Sequence, residues 1–485
     1  MNFTKILLIN RILKYYNSLG RAGNILLLAL LILSGLINRL YMVYQYKEPD
    51  YIIEIFLVIA AGLFVIKLFK GNIFVIENRN IIRGLLIAGI LLRLIMAVHD
   101  LYDRPVQDSD YEKHEKLGQR LATEGEFYDY AGVQLRNFRQ PGLPVLFAAG
   151  LLIYNNPVTY AVVMILFSFG VLISGYYLFG KMKNVASVLS FAYLCISPNM
   201  FFMASNSNTQ LSFFFFLILL FLVLKNYSGK FYQLILIGLI LAAEMYIRFN
   251  FLMIIVLIPF FIEKHSQEKL TAGLGKLGLV YLSFLIFYSP WVYRNYKIYG
   301  TIRLMPTSGL GLYSTNVTKD PKRVGDYNGV PDSVLNKYNK LSEIDFDNAL
   351  KKETFDFVRS HPDVMIKGMP FKLIKYSGRQ DWTISYFFQF TKYPNAVILE
   401  EFFQAIENLF FWIILFYPFM LLLRNKNLSS LSTYILWGYL SYTMILLPIS
   451  ETRSRYNFPY LLFPLFAVAL TEKKPEDEQN SSGIK

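Results

Sequence analysis

The chain has 485 residues, 54% of them hydrophobic, 17% aromatic and 17% charged, with a mean hydropathy of +0.38. Soluble domains carry about a quarter charged residues, so this composition excludes an ordinary soluble enzyme and predicts a polytopic helical membrane protein. The net charge of +14 does not indicate a nucleic-acid partner, because Lys and Arg are spread over short loops, as cytoplasmic loops of membrane proteins require. The single cysteine, Cys195, lies in an apolar run and excludes an intramolecular disulfide.

Residues 1–24 carry Lys5, Arg11, Lys14 and Arg21, which places them inside, and the apolar run that follows is a retained span rather than a signal peptide. Spans are expected near Ile25–Tyr44, Ile52–Phe69 and Ile81–Val98, the third delivering residues 99–144 to the outer face. Within that stretch residues 141–154 are too short to cross and suit an interfacial helix. Val158–Phe179, Val185–Met203 and Leu211–Leu224 follow, with Ala204–Gln210 as an outer turn. Phe231–Ile262 is interrupted at Arg248-Phe249-Asn250 and divides into two spans with Arg248 near the outer face. Gly278–Trp291 leads out to the one large hydrophilic region, Tyr293–Glu401. Three last spans (Ile406–Leu423, Leu431–Ile449 and Tyr456–Leu470) precede a charged tail.

The expected fold is all-α, with about twelve transmembrane helices and both ends inside. It divides into an N-terminal hairpin (1–80), a transmembrane core (81–292), an extracytoplasmic region (293–401), C-terminal helices (402–471) and a cytoplasmic tail (472–485). In the extracytoplasmic region Ser342-Glu343-Ile344-Asp345 opens a helix by capping, and His361-Pro362 closes it. Val364–Tyr376 mixes apolar residues with Lys367, Lys372 and Lys375, a pattern suited to a membrane surface.

Four clusters fall on the outer face. Asp108-Ser109-Asp110-Tyr111 pairs two carboxylates with a capping box, Ser109-x-x-Glu112, and capping alone accounts for both acids. Arg248 ends an apolar run, where an arginine often only snorkels. Residues 289–316 combine Trp291, Arg294 and several tyrosines with Ser308-Gly309-Leu310-Gly311, a run that permits close backbone approach. Glu451 to Tyr456 places Arg453 and Arg455 on an outer loop, against the positive-inside tendency, which favours a functional role. Guanidinium forks suit phosphate oxygens, and a nearby carboxylate suits a general base or a metal. A Walker loop, a Gly-x-Gly-x-x-Gly run and an HExxH motif are all absent from the sequence.

In their order along the chain these motifs resemble the GT-C polytopic glycosyltransferases, in the branch of protein O-mannosyltransferases and lipid A aminoarabinose transferases. Asp108-Ser109-Asp110-Tyr111 with Arg139-Gln140-Pro141-Gly142-Leu143-Pro144 is similar to that branch's first outer loop. Pro290-Trp291-x-x-Arg294-Asn295-Tyr296 with Gly311-Leu312-Tyr313-x-x-Asn316, and later Arg455-Tyr456-x-x-Pro459, resemble its further motifs. The resemblance runs from about Ile81 to Leu470. It implies a polyprenyl-phosphate sugar donor and inverting transfer on the extracytoplasmic face of a bacterial inner membrane. By motif, Asp108 acts at the acceptor as base or metal ligand, with Asp110 as runner-up. The donor phosphate falls to Arg248, Arg294, Arg453 and Arg455, and other substrate contacts to Tyr111, Arg139, Tyr313 and Asn316. Where relatives carry a second acid in the outer turn, this chain has Gln210, so a divalent metal cofactor is not firmly implied. Two other classes remain open: a transporter or flippase of lipid-linked saccharides, and a polymerase of lipid-linked repeat units. A transporter would favour internal repeats and polar residues at mid-membrane, and the sequence displays neither.

Overall fold

The computed structural model describes residues 3–46, 50–70, 79–102, 109–127, 139–180, 185–248, 257–258, 260–261, 270–304, 308–378, 382–389 and 395–424, with positions 436, 440 and 443. All regular structure among them is helical. An N-terminal hairpin, α1 (Phe3–Tyr46) and α2 (Asp50–Lys70), precedes α3 (Arg79–Tyr102). The segment after α3 contributes α4 (Ser109–Glu124) and the short apolar α5 (Gly142–Ile153). The core continues through α6 (Val158–Phe179), α7 (Val185–Ile196), α8 (Pro198–Phe202), α9 (Thr209–Lys225) and α10 (Phe231–Ile247). After α11 (Leu270–Tyr299) come four helices of the hydrophilic region, expected on the outer face: α12 (Gly309–Asn316), α13 (Asp332–Tyr338), α14 (Glu343–Ser360) and α15 (Pro362–Tyr376). The amphipathic α16 (Trp382–Gln389) and the long α17 (Ala396–Leu423) follow.

In hydrocarbon every backbone polar group needs an internal partner, so long apolar runs become helices and end where a polar or conformationally special residue takes over. Among the described residues five helices are long and apolar enough to cross a membrane, six if the bent pair at Val185–Ile196 and Pro198–Ser205 is one span. Three shorter apolar helices, α5, α9 and α10, pack among them. The spans expected at Leu431–Ile449 and Tyr456–Leu470, and the tail, lie outside the described residues but for three positions.

Several boundaries depart from expectation: α1 begins at Phe3 rather than near Ile25, α11 at Leu270 rather than Gly278, and the span expected over Val185–Met203 bends at Ser197-Pro198. α11 runs eight residues past Trp291, so the Pro290-Trp291-x-x-Arg294-Asn295-Tyr296 motif is helical rather than part of the hydrophilic region. Its end is tied to the chain beyond it: Tyr288 donates to Leu304 O (3.1 Å) and Asn295 Nδ2 to Arg303 O (3.1 Å). α17 likewise begins ten residues before Ile406, because Glu400 and Gln404 hydrogen-bond along the helix (2.8 Å) instead of forming a loop.

The core forms where α3 packs on α6 and α7, α6 on α9, α9 on α10 and α10 on α11. The N-terminal hairpin packs on α17 and α15. There Arg39 is enclosed: Nε meets Glu54 (2.9 Å), Nη1 donates to Ser377 O (2.6 Å), Nη2 to Asn408 Oδ1 (3.1 Å), and Trp412 lies 5.1 Å beneath it. Together with the buried Arg93, Glu244 and Glu407 it corrects the expectation that the spans lack interior polar residues. Such residues are hard to see in sequence because one charge scarcely alters the hydropathy of an 18-residue window.

The outer helices have their own small core of Leu310, Tyr313, Phe346 and Leu350. Asp347 organises it, accepting from Ser308 N (2.8 Å) and Gly309 N and pairing with Arg303 (3.2 Å) and Lys351 (2.6 Å). A Cβ on Gly309 would lie 2.3 Å from Asp347 O, so the close approach expected of this glycine run is made to the protein's own α14. α15 turns the stripe Val364, Gly368, Lys372 and Tyr376 inward, so Lys372 is buried against Asn316 rather than spread on a membrane surface.

Candidate functional site

Pro141, Gly142, Val145 and Leu146 at the start of α5 face Tyr246 and Ile247 at the end of α10 across a cleft of about 480 Å³. Pro290, Trp291 and Arg294 of α11, Leu121 of α4 and Phe127 just beyond it complete the walls. Gly142 makes this junction possible, because a Cβ there would stand 2.8 Å from Tyr246 O and 2.6 Å from Ile247 Cγ1. Among the described residues the cleft is walled almost entirely by apolar side chains, with Arg294 as its one charged group. Its guanidinium lies 4.7 Å over Trp291 and 5.4 Å over Phe127, two rings that meet edge to face, and Nη2 donates to Phe127 O (2.8 Å). Stacking and the carbonyl bond hold the fork in one orientation, which is how a cation is kept ready for an anion beside an apolar wall.

Two motifs separated by about 150 residues, Arg139-Gln140-Pro141-Gly142-Leu143-Pro144 and Pro290-Trp291-x-x-Arg294, thus share one cleft. Arg139 itself is half-buried just before Pro141. Arg248 follows α10 directly, with its backbone extended (φ −146°, ψ 115°), one residue beyond Ile247 of the wall. Its charge acts on the buried carboxylate of Glu244, a helical turn earlier.

A second polar cluster gathers at the other end of α4. The Tyr111 hydroxyl accepts from Asn208 Nδ2 (3.3 Å) and from Trp382 Nε1 (3.2 Å), and its ring stands edge-on to Tyr386 at 4.6 Å. Glu115, one turn on, accepts from Ser207 Oγ (2.5 Å). Tyr111 and Leu121 are ten residues apart, so this cluster and the cleft are separated by about 15 Å along the helix. Asp110 occupies the second position of α4 and is described in its backbone alone; Asp108, immediately before the helix, lies outside the described residues, as do Arg453 and Arg455.

Tyr313 and Asn316 are not brought to either place. Tyr313 belongs to the outer core, and Asn316 is buried with its Oδ1 accepting from Lys372 Nζ (3.0 Å). Burial, with Lys375 near by, lowers the Lys372 ammonium to about 8. Among the described residues no group of three His, Cys, Asp or Glu is placed to hold a metal ion.

Phe127, Tyr246, Glu115 and Trp382 escaped sequence reasoning. Tyr246 was within reach, two residues before Arg248 in the same apolar run. Trp382 was not, since only folding sets it against Tyr111.

These features define a multi-pass helical membrane protein whose apolar cleft carries a single fixed guanidinium. No family model matches the chain, and no curated protein matches it. Among solved structures the chain is similar to ArnT from Cupriavidus metallidurans in the apo state, at 10% identity and a TM-score of 0.38, over 80% of this chain and 78% of that one. It is similar also to the same protein bound to undecaprenyl phosphate, at 10% identity and a TM-score of 0.39, over 80% and 77%. A likeness of this order carries no chemistry from one chain to the other.

Proposed function

We propose that the protein is an integral-membrane glycosyltransferase that moves a sugar from a polyprenyl-phosphate donor to an acceptor on the extracytoplasmic face. The observation that carries this is the cleft, where two motifs from distant parts of the chain meet around Arg294. An apolar cavity with one oriented guanidinium matches an amphiphile that joins an isoprenoid chain to a phosphate. A soluble nucleotide sugar would need polar walls for its base and ribose, and a flippase would need a polar path for the sugar.

In the reaction the Asp108 carboxylate takes the proton of an acceptor hydroxyl as its oxygen bonds to the anomeric carbon. The bond from that carbon to the phosphate oxygen breaks on the opposite face, giving inversion. The leaving phosphate needs cations rather than a general acid, and Arg294 with Arg248, Arg453 and Arg455 supplies them when the donor draws the cleft and the N-terminal end of α4, about 15 Å apart along the helix, together. Tyr111 contacts substrate at the N-terminal end of α4, and Arg139 beside the cleft. A divalent metal, where one takes part, falls to Asp108, with Gln210 in place of a second acid.

Sugar transfer to surface glycans, followed by mass spectrometry in cells carrying variants, tests this. Asp108→Asn should abolish transfer at normal expression, and Asp110→Asn should reduce it less. Arg294→Ala should weaken binding of farnesyl phosphate by roughly 10- to 100-fold, the loss of one charge-assisted contact. Full transfer in both aspartate variants would sink the catalytic assignment. Products extended by many repeat units would instead identify a polymerase.

A further inference from the structure

The span from Val185 is broken at Ser197-Pro198, with a bend of 45°. Pro198 has no N–H, so Leu194 O loses the donor it would meet four residues on, and the bend takes Asn199 N away from Cys195 O. Arg93 of α3 fills both vacancies: Nη2 donates to Leu194 O (2.7 Å) and Nη1 to Cys195 O (3.2 Å). Its Nε reaches Ser168 O of α6 (3.0 Å), and Nη1 also meets Gly89 O of its own helix (3.1 Å). On the other side Glu407 of α17 accepts from Asn199 N (3.1 Å), Ser197 Oγ (2.5 Å) and Tyr193 OH (2.7 Å). Arg93 is 2% exposed and Glu407 1%. Arg93 thus satisfies the carbonyl end of the break and the Glu407 carboxyl its amide end, each supplying the hydrogen-bond partner that the break removes.

The chain beyond the break leads to the Tyr111 cluster. α8, the 3-10 turn Met203–Ser205 and residues 206–208 are all buried, and Ser207 and Asn208 bond to Glu115 and Tyr111 of α4. We infer that Arg93 and Glu407 are positioning residues: by clamping both ends of the Ser197-Pro198 break they set turn 206–208 against Tyr111 and Glu115 in the first turns of α4, and so orient Tyr111 for the acceptor. The link to the acceptor rests on the transferase reading; the placement of the turn does not. Charges inside a bilayer are costly, and a well-packed apolar pair would hold helices together at least as well. A fixed break needs donors and acceptors at defined points, which apolar residues lack.

Asn206 offers a reporter, since it is buried and among the described residues neither amide atom has a hydrogen-bond partner. The native thiol, Cys195, is buried. In full-length protein in membranes, Asn206→Cys is labelled with a water-soluble maleimide, alone and combined with Arg93→Met, Glu407→Leu or Glu407→Gln. Arg93→Met and Glu407→Leu should speed labelling by about tenfold or more, the loss of a charge-assisted bond. Glu407→Gln keeps an acceptor oxygen and should stay near the parent rate. With Asn206 intact, Glu407→Leu should bind farnesyl phosphate as the wild type does while losing transfer to surface glycans. Unchanged labelling in both Arg93→Met and Glu407→Leu overturns the clamp. Faster labelling accompanied by lost farnesyl phosphate binding also overturns it, since the effect would be general unfolding. If the wild type itself alters no surface glycan, the transferase reading fails, and labelling alone decides whether the clamp sets the turn.

Discussion

Lys372 illustrates what a single enclosed charge does at the residue scale. Its ammonium is buried on the Asn316 amide, and burial lowers it to about 8 from an ordinary value near 10.5. Between those values the unfolded chain binds the proton that the folded chain has released, so this group's contribution to stability rises with pH from about 8 to 10.5. Below pH 8 the charge is present in both states and the desolvation cost is felt in full. Thermal melts in detergent at pH 7 and pH 10 should therefore show the wild type gaining on Lys372→Met as pH rises; parallel curves would mean Lys372 titrates normally. The residue scale is also where sequence reasoning was weakest. By motif position Tyr313 and Asn316 are substrate contacts, and in the structure Tyr313 packs in the core of Leu310, Phe346 and Leu350 while Asn316 accepts from Lys372. A tyrosine and an asparagine satisfy either role, and nothing local distinguishes them.

At the scale of elements, α5 and α10 meet at Gly142 with no room for a side chain. Gly142→Ala must push Tyr246 and Ile247 away and widen the cleft wall. Overpacking of this kind costs about 1–3 kcal/mol. The variant should melt earlier than the wild type and bind farnesyl phosphate more weakly, and an unaltered melt together with unaltered binding would show that the junction is pliant. Much at this scale was legible beforehand. Val158–Phe179 has the expected ends, Ser342 caps α14 through Asp345 N (3.2 Å), His361 separates α14 from α15, and α10 stops at Arg248. What escaped were the extensions of α11 and α17. Hydropathy falls where a helix leaves the bilayer, but the helix itself continues while its polar residues find partners.

For the whole molecule the N-terminal hairpin is the informative part. Arg39 ties it to Ser377 at the end of α15 and to Asn408 of α17, so the hairpin joins the outer region to the membrane core. Arg39 and Glu54 are both fully enclosed, and removing Arg39 takes away the ion pair of a buried carboxylate. Arg39→Met should destabilise by about 3–5 kcal/mol, while Arg39→Met with Glu54→Leu should recover much of that. Thermal melts of the single and double variants check this, and equal losses in both would show that the pair does not act as a unit.

Composition, hydropathy and punctuation by themselves determined that this is a helical multi-pass membrane protein, where most helices begin and end, and the order of its motifs. These properties are local: the hydrocarbon core imposes internal hydrogen bonding on any apolar run of sufficient length, whatever lies elsewhere in the chain. Tertiary structure alone decided that Pro141 and Gly142 share a cleft with Trp291 and Arg294, that Tyr111 answers to Asn208 and Trp382, and that Arg93 and Glu407 close the same helix break. Those pairings join residues up to about 270 positions apart. They follow from which buried polar groups find partners when the helices pack, and no window along the chain contains both members.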